Sequence, residues 1–309
     1  MAKDRSRIAD YLVYLLVRAV VCVLQILSFE QAKRLARGLA RLIHRVDRRH
    51  RLVALDNLRH AFGDQLSDAE REAMVRRVYE HFCTMMVEMI HLPRRLHPTT
   101  WRRYLDSSLN RRLAEALLTS RPTLLVTGHF GNWEAAGYTL ALFGFETYAI
   151  ARTLDNPHLD RFLRQFRERT GQHILAKHGE FERIQDVLKS GGILATLGDQ
   201  DAGQRGQFVP FFGRPASTHK AVAILALEYD VQLVVVGMPR LGNPPRYHTL
   251  VEDVIDPKEY ASRHDAVAAM TERFTAALER IVRAAPEQYF WLHRRWKHQP
   301  KERKARQAA

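Results

Sequence analysis

Cysteine is almost missing from this 309-residue chain, which carries only Cys22 and Cys83. Two thiols cannot build a disulfide framework or a Cys-rich zinc site. Cys22 lies inside an apolar run, where it serves as a small hydrophobe. No H-E-x-x-H occurs, so the zinc-hydrolase helix motif is excluded. There is no internal repeat and no long linker. Acidic residues are short as well, 34 against 48 basic ones, for a net charge of +14. Lysine is scarce, only nine of the 48, so the other 39 are arginine, whose fork suits bidentate contact with phosphate. Arg-rich codon usage would give the same composition. What remains is ordinary. A content of 46% hydrophobic and 27% charged residues rules out a disordered chain, and the length fits one large α/β domain or two smaller ones. A chain this basic meets an anion: nucleic acid, a membrane surface or a phosphorylated substrate.

The excess charge is localised. Residues 33–51 hold eight bases against Asp47, and residues 294–306 hold seven against Glu302, so 13 of the 14 excess charges sit in two short segments. The rest is close to neutral. Arg34, Arg37, Arg41, Arg45 and Arg48 recur at helical spacing, with Leu35, Leu39, Leu42, Ile43 and Val46 on the other side. That is a basic amphipathic helix, as expected at an anionic membrane. A packed helix with a solvated outer face has the same pattern.

Just before it lies YLVYLLVRAVVCVLQILS, residues 11–28, interrupted by the single charge of Arg18. Eighteen residues rise about 27 Å as a helix, against a hydrocarbon core of about 30 Å. A central Arg costs roughly 2.5–3.5 kcal/mol on insertion scales, which the Leu and Val neighbours can offset. A spanning or deeply inserted anchor is expected, with a buried core helix as the alternative. No small-x-small site follows, so a cleaved signal peptide fits poorly.

Residues 56–93 read as helical, with Ser67 and Glu70 forming a capping box and Met74, Val78, Phe82, Met85 and Met89 as core positions. Pro93 and Pro98 close the region. TLLVT after Pro122 reads as a buried strand. Further strands are predicted at 146–150, 192–197, 231–237 and 247–251, and helices at 133–143, 160–170, 181–189 and 220–228 and along the face from Val267 to Ile281. Alternating strands and helices predict an α/β fold with a mixed, mainly parallel sheet flanked by helices.

Active sites of such sheets lie beyond the carboxyl ends of strands. The first strand ends in TGHFGNWE, which places His129 and Glu134 in an H-x4-E arrangement. A carboxylate five residues on, across a turn into a helix, can reach one ring nitrogen and raise the basicity of the other. The free nitrogen then deprotonates a hydroxyl, as acyl transfer from a thioester requires. A capping His beside a surface Glu is the plainer alternative.

VTGHFGNWE resembles the first block of the lysophospholipid acyltransferase superfamily, and more closely the bacterial late acyltransferases of lipid A, the lauroyl/myristoyl transferase family. ARTLDNPHLD at 151–160 is similar to that family's R-x-x-x-N-P block, and RERTG at 167–171 to an Arg-bearing helix end. GDQDAGQRGQFVPFFGRPASTH at 198–219 looks like its central block, and APEQYFWLHRRWK at 285–297 like its C-terminal one. DRRHRLVALDNLRHAF at 47–62 fits its N-terminal pattern. The blocks run in order over most of the chain.

The resemblance implies His129 as general base with Glu134 as its partner. Arg152, Arg169, Asp199 and Asp201 are implied as substrate-binding or supporting residues, Asp199 ahead of Asp201 because it follows the strand first. Plainer roles stand beside these: an Asx turn for the aspartates and surface pairs for the arginines. Phe211 and Phe212 edge an acyl groove or fill the core. Tyr289, Phe290, Trp291 and Trp296, beside Arg294, Arg295 and Lys297, suit a headgroup interface.

The implied layout is an anchor at 1–32, an acyltransferase domain at 33–298 and a basic, disordered tail at 299–309. The implied enzyme is a membrane-bound O-acyltransferase on the cytoplasmic side of the inner membrane. It takes its acyl group from acyl-acyl carrier protein or acyl-CoA, acts on a lipid A precursor or related glycolipid, and uses no metal and no cofactor. A phosphatidylinositol mannoside or a lysophospholipid is the alternative acceptor. From other classes, a nucleic-acid binder and a non-catalytic membrane scaffold compete. The first should carry a basic stripe over its folded body, which a near-neutral body argues against.

Overall fold

A computed structural model describes residues 6–106, 111–169, 171–177, 179–242 and 244–300. Helix α1 (Arg7–Ile26) starts at Ser6, whose side chain accepts from the Ala9 amide. A capping box of Ser28 and Gln31 opens α2 (Phe29–Val46). Asp47 ends α2 and caps α3 (Arg48–Phe62), and Gly63 stops α3 at a φ of +49°. The expected box of Ser67 and Glu70 opens α4 (Asp68–Arg95). The region 56–93 is thus two helices broken at Gly63, and Pro93 sits in the last turn of α4.

Helix α2 packs on α4 through Ala32, Ala36 and Ala40. Its leucines do not face the protein: Leu35, Leu39, Leu42 and Val46 are 49–68% exposed, beside an equally exposed arginine face. Small residues let the two helices approach closely, and the remaining amphipathic surface stays open. Helix α1 turns the stripe of Asp10, Tyr14, Val17, Val21 and Leu24 toward the domain and leaves Ile8, Leu12, Leu16, Val20 and Val23 exposed. At 20 residues it is long and apolar enough to cross a bilayer, by length and composition.

The α/β part follows in order: α5 (Arg111–Leu117), β1 (Thr123–Thr127), α6 (Trp133–Leu142), β2 (Thr147–Ala151), α7 (Pro157–Glu168), β3 (Gln172–Ala176), α8 (Phe181–Lys189), β4 (Ile193–Leu197), β5 (Gln207–Phe211), β6 (Arg214–Thr218), α9 (Ala221–Glu228), β7 (Gln232–Gly237), β8 (Arg240–Leu241), β9 (Arg246–Tyr247), β10 (Leu250–Ile255) and α10 (Ala266–Ala284). Six strands form one sheet in the order β10-β7-β1-β4-β2-β3, parallel except for β10. Strand β1 lies inside and is apolar on both faces. Leu124 and Val126 join the core with α9 and α10, while Leu125 joins a second core with α5.

The sheet is the mixed, mainly parallel one expected. Helix α5 and the short β8–β9 pair were not foreseen, nor were two further features. Edge strand β3 carries Gln172 and His173, which hide its apolar signal. The β5–β6 hairpin carries Pro210 and turns at Phe212 and Gly213, both at positive φ (51° and 71°). The C-terminal aromatic cluster corrects the headgroup expectation. Tyr289, Trp291, Arg295 and Trp296 are all buried, as are Phe211 and Phe212, and Asn57 ties the segment down through the carbonyls of Trp291 and His293 at 2.7 Å. Most of the expected tail, residues 301–309, lies outside the described residues.

Candidate active site

Strands β1 and β4 are parallel neighbours with Thr127 opposite Leu197. His129 and Asp199 each stand two residues beyond those ends, so strand register brings them to the same level. The His129 ring Nδ1 lies 2.8 Å from Asp199 Oδ1, and the His129 amide donates to Oδ2, also at 2.8 Å. Two glycines permit this approach. A Cβ at Gly128 would press on Asp199 Cγ at 3.2 Å, and one at Gly131, where φ is +61°, would meet the Met238 carbonyl oxygen at 2.2 Å.

With the Nδ1 proton held on Asp199, the Nε2 lone pair faces outward. Gln200 Nε2 stands 3.5 Å from it. Trp133 packs edge-on to the ring, at 5.2 Å between centroids, and Phe290 lies on another side. Burial opposes the imidazolium, but the Asp199 charge and hydrogen bond, with Glu134 adding to them, hold the His129 pKa above the ordinary histidine value. Burial also opposes the Asp199 anion, yet the His129 ring and amide and nearby His293 keep its pKa well below the carboxylate range. Burial raises the Tyr289 phenol, and it lowers His293 against the opposing pull of the Asp199 charge.

Glu134 stands elsewhere than expected. The carboxylate on the ring is Asp199, because β1 and β4 are adjacent. Glu134, in the first turn of α6, is gripped by Arg167 from α7, with Nε to Oε2 at 3.0 Å and a terminal nitrogen to Oε1 at 2.5 Å, and it accepts from the Trp133 indole at 3.1 Å. Arg167 lies four residues past Leu163, on the inward phase of α7, while Arg169, two residues on, is exposed at the C-cap. That helical phase is the signal that would have singled out Arg167. Arg152 is exposed and pairs with Asp155 at 3.2 Å. Asp201 does form an Asx-type contact, to the Gly203 amide, and also binds His298 Nδ1 at 2.6 Å, pinning the chain end to this loop. Of the expected residues, then, His129 and Asp199 touch, Glu134 stands near them, and Arg152, Arg169 and Asp201 have other neighbours.

A buried polar network stands behind the HFGN loop. Asn132 caps α6 through the Ala135 amide and donates to Glu88 at 2.9 Å. Arg240 donates to Glu88 and to His81 Nδ1, each at 2.6 Å, and His81 Nε2 donates to the Gly131 carbonyl at 3.0 Å. Burial, then the Arg240 charge, pushes the His81 pKa down to about 3, so the ring stays neutral and serves both bonds at once. Sequence pattern could not reveal this network, whose members lie on α4, β8 and the loop.

An apolar cleft of about 610 Å³, including its open mouth, begins beside the site. Thr127 and Trp133 line its near end, and Leu113, Leu117, Leu140 and Phe143 its apolar walls between α5, α6 and the sheet.

Three known proteins align over most of the chain. It is 25% identical over 262 residues to the lipid A biosynthesis palmitoleoyltransferase of Escherichia coli (strain K12), covering 82% of this chain and 80% of that one. The figures are the same for a lipid A biosynthesis acyltransferase of Shigella flexneri. It is 26% identical over 275 residues to the lipid A biosynthesis lauroyltransferase of Escherichia coli (strain K12), covering 86% and 85%. The family profile described as bacterial lipid A biosynthesis acyltransferase matches residues 2–298. The His–Asp site at the strand ends therefore sits in an acyltransferase, and the chain belongs to the bacterial lipid A biosynthesis acyltransferase family.

Proposed function

We propose that the protein moves a fatty acyl group from an acyl thioester, carried by acyl carrier protein or coenzyme A, to a hydroxyl of a lipid A precursor or related glycolipid. The observation that carries this reading is the His129–Asp199 pair packed against Trp133, which also lines an apolar cleft. The acceptor hydroxyl gives its proton to Nε2 as its oxygen attacks the thioester carbonyl. Asp199 stabilises the imidazolium that forms. The tetrahedral intermediate collapses, the carbon–sulfur bond breaks, and the imidazolium returns the proton to the leaving thiolate. The Gln200 amide is a donor within reach of the reacting oxygen, and the cleft holds the acyl tail. Glu134, fixed by Arg167, adds negative charge near the imidazolium.

The same reading puts the enzyme at the cytoplasmic face of the inner membrane. Helices α1 and α2 present one run of exposed apolar side chains flanked by arginine, suited to an anionic leaflet. The layout of anchor, catalytic domain and tail follows from it.

His129→Ala in detergent solution with a labelled acyl donor tests the base. Loss of turnover with an unchanged melting profile is expected. Near wild-type turnover would reject His129 as base. Lipid mass spectrometry of cells lacking the protein then identifies acceptor and chain length through the missing acyl chain.

A further inference from the structure

A second pocket, of about 530 Å³ with its mouth, opens between the first turn of α2 and the end of α4. Phe29 and Lys33 of α2, Arg95 at the end of α4, Tyr104, Arg240 and Tyr247 enclose it. Arg95 is the unusual member. Its guanidinium carbon lies 3.8 Å from the Phe29 ring centroid and 4.5 Å from that of Tyr104, so the fork is sandwiched between two rings. Among the described residues the guanidinium has neither a hydrogen bond nor an ion pair. Stacking fixes the plane of an arginine while its N–H edge stays free to meet a ligand. Lys33 Nζ stands 5.2 Å from the same Phe29 ring and 3.4 Å from Glu30 Oε1, a solvent-exposed pair that a ligand phosphate can compete with. The one acid lining the pocket, Glu88, is already engaged by Arg240 and Asn132. The cavity is therefore cationic, with a preset planar donor.

We propose that this pocket binds the phosphate of a lipid headgroup, with Arg95 as its principal ligand and Lys33 as a second cation. A guanidinium held by stacking suits the paired oxygens of a phosphate. A lipid is favoured over a soluble anion because Phe29 begins α2 directly after the apolar run of α1, where Ile26 is 84% exposed. Acyl chains can lie along that run while the phosphate meets the free N–H edge of Arg95. The pocket shares Glu88 and Arg240 with the network behind the catalytic loop, so occupancy bears on the hold over Gly131 and Asn132. The phosphate belongs either to a membrane glycerophospholipid or to the phosphorylated glycolipid acceptor.

The test uses the full chain in neutral detergent and isothermal titration calorimetry with three probes: dihexanoylphosphatidylglycerol, glucosamine 1-phosphate and uncharged dihexanoylglycerol. Arg95→Gln should weaken binding of a phosphate probe by about tenfold or more. Lys189→Gln, exposed at the end of α8, should leave that binding within about twofold. Dependence on Arg95 for the phosphatidylglycerol probe identifies the membrane phospholipid as source, and dependence for the sugar phosphate identifies the acceptor. Arg95→Lys keeps charge but not the fork, and should fall between wild type and Arg95→Gln. Equal affinities in wild type and Arg95→Gln, or equal binding of the uncharged lipid, overturn the proposal. A circular dichroism melt confirms that each variant is folded.

Discussion

Asp199 holds His129 at two points, accepting from the ring Nδ1 and from the main-chain amide of the same residue at 2.8 Å each. One carboxylate thus sets the tautomer, the ring position and the pKa together.

Asp199→Asn separates those roles. The amide side chain can still contact the ring but carries no charge, so the His129 pKa falls. The base must be deprotonated to act, so the acid limb of kcat/KM moves to lower pH, while the plateau drops by about 10²–10⁴-fold. A pH–rate profile checks this, and a limb that stays in place counts against the pairing. Stability follows the same charges. Asp199, with its pKa lowered, contributes above its unfolded value of about 3.9 and loses that contribution as pH falls through the folded value. His129, with its pKa raised, contributes below its unfolded value of about 6.5 and loses that contribution as pH rises through the folded value. The stability gap between wild type and Asp199→Asn is therefore widest between about pH 4 and 6.5.

Arg167→Met leaves the Glu134 carboxylate, whose side chain is only 7% exposed, without its cation. A buried charge stripped of its partner costs about 3–5 kcal/mol. Chemical denaturation should show most of that loss, and the double variant Glu134→Gln/Arg167→Met should recover part of it. Equal stability of wild type and Arg167→Met would contradict the buried pair.

Two glycines should respond in opposite ways to alanine. At Gly131 the positive φ and the Met238 carbonyl leave no room, so Gly131→Ala should displace the HFGN loop, abolish turnover and lower the melting temperature. At Gly38, inside α2 with nothing within 4 Å of a new Cβ, alanine should stabilise by up to about 1 kcal/mol through helix propensity.

Deleting residues 1–28 should release much of the protein from membranes and leave binding through α2 that salt removes. Sedimentation with vesicles at low and high salt reads both effects. A truncated protein that pellets as before in high salt would reject α1 as the anchor.

Much of the fold was legible because the strands are short apolar runs between Pro, Gly and polar turns; TLLVT is β1 and FERIQDVLK is α8, residue for residue. The partner of His129 was less legible. H-x4-E invites a local partner for His129, but the partner came from strand adjacency, which a single sequence does not state. Arg167 was overlooked for Arg169 although α7 carries the phase that separates them. The C-terminal aromatics resembled an interface because their burial depends on α3 and the β5–β6 hairpin, both distant in sequence.

Asn156 does two things at once. Its side-chain oxygen caps α7 through the amides of His158 and Leu159, and its nitrogen donates to the Asp10 carbonyl of α1 at 2.8 Å. The same α7 carries Arg167, and Arg167 carries Glu134. Helix α1 and the Glu134 carboxylate are thus the two ends of one mechanical linkage. A chain built this way has no clean cut between its N-terminal helix and the helix that holds Glu134. Tyr11 and Tyr14 against His158, and Arg18 over Phe162, reinforce the same joint, so a shift of the first helix would carry into α7 and from there to Glu134.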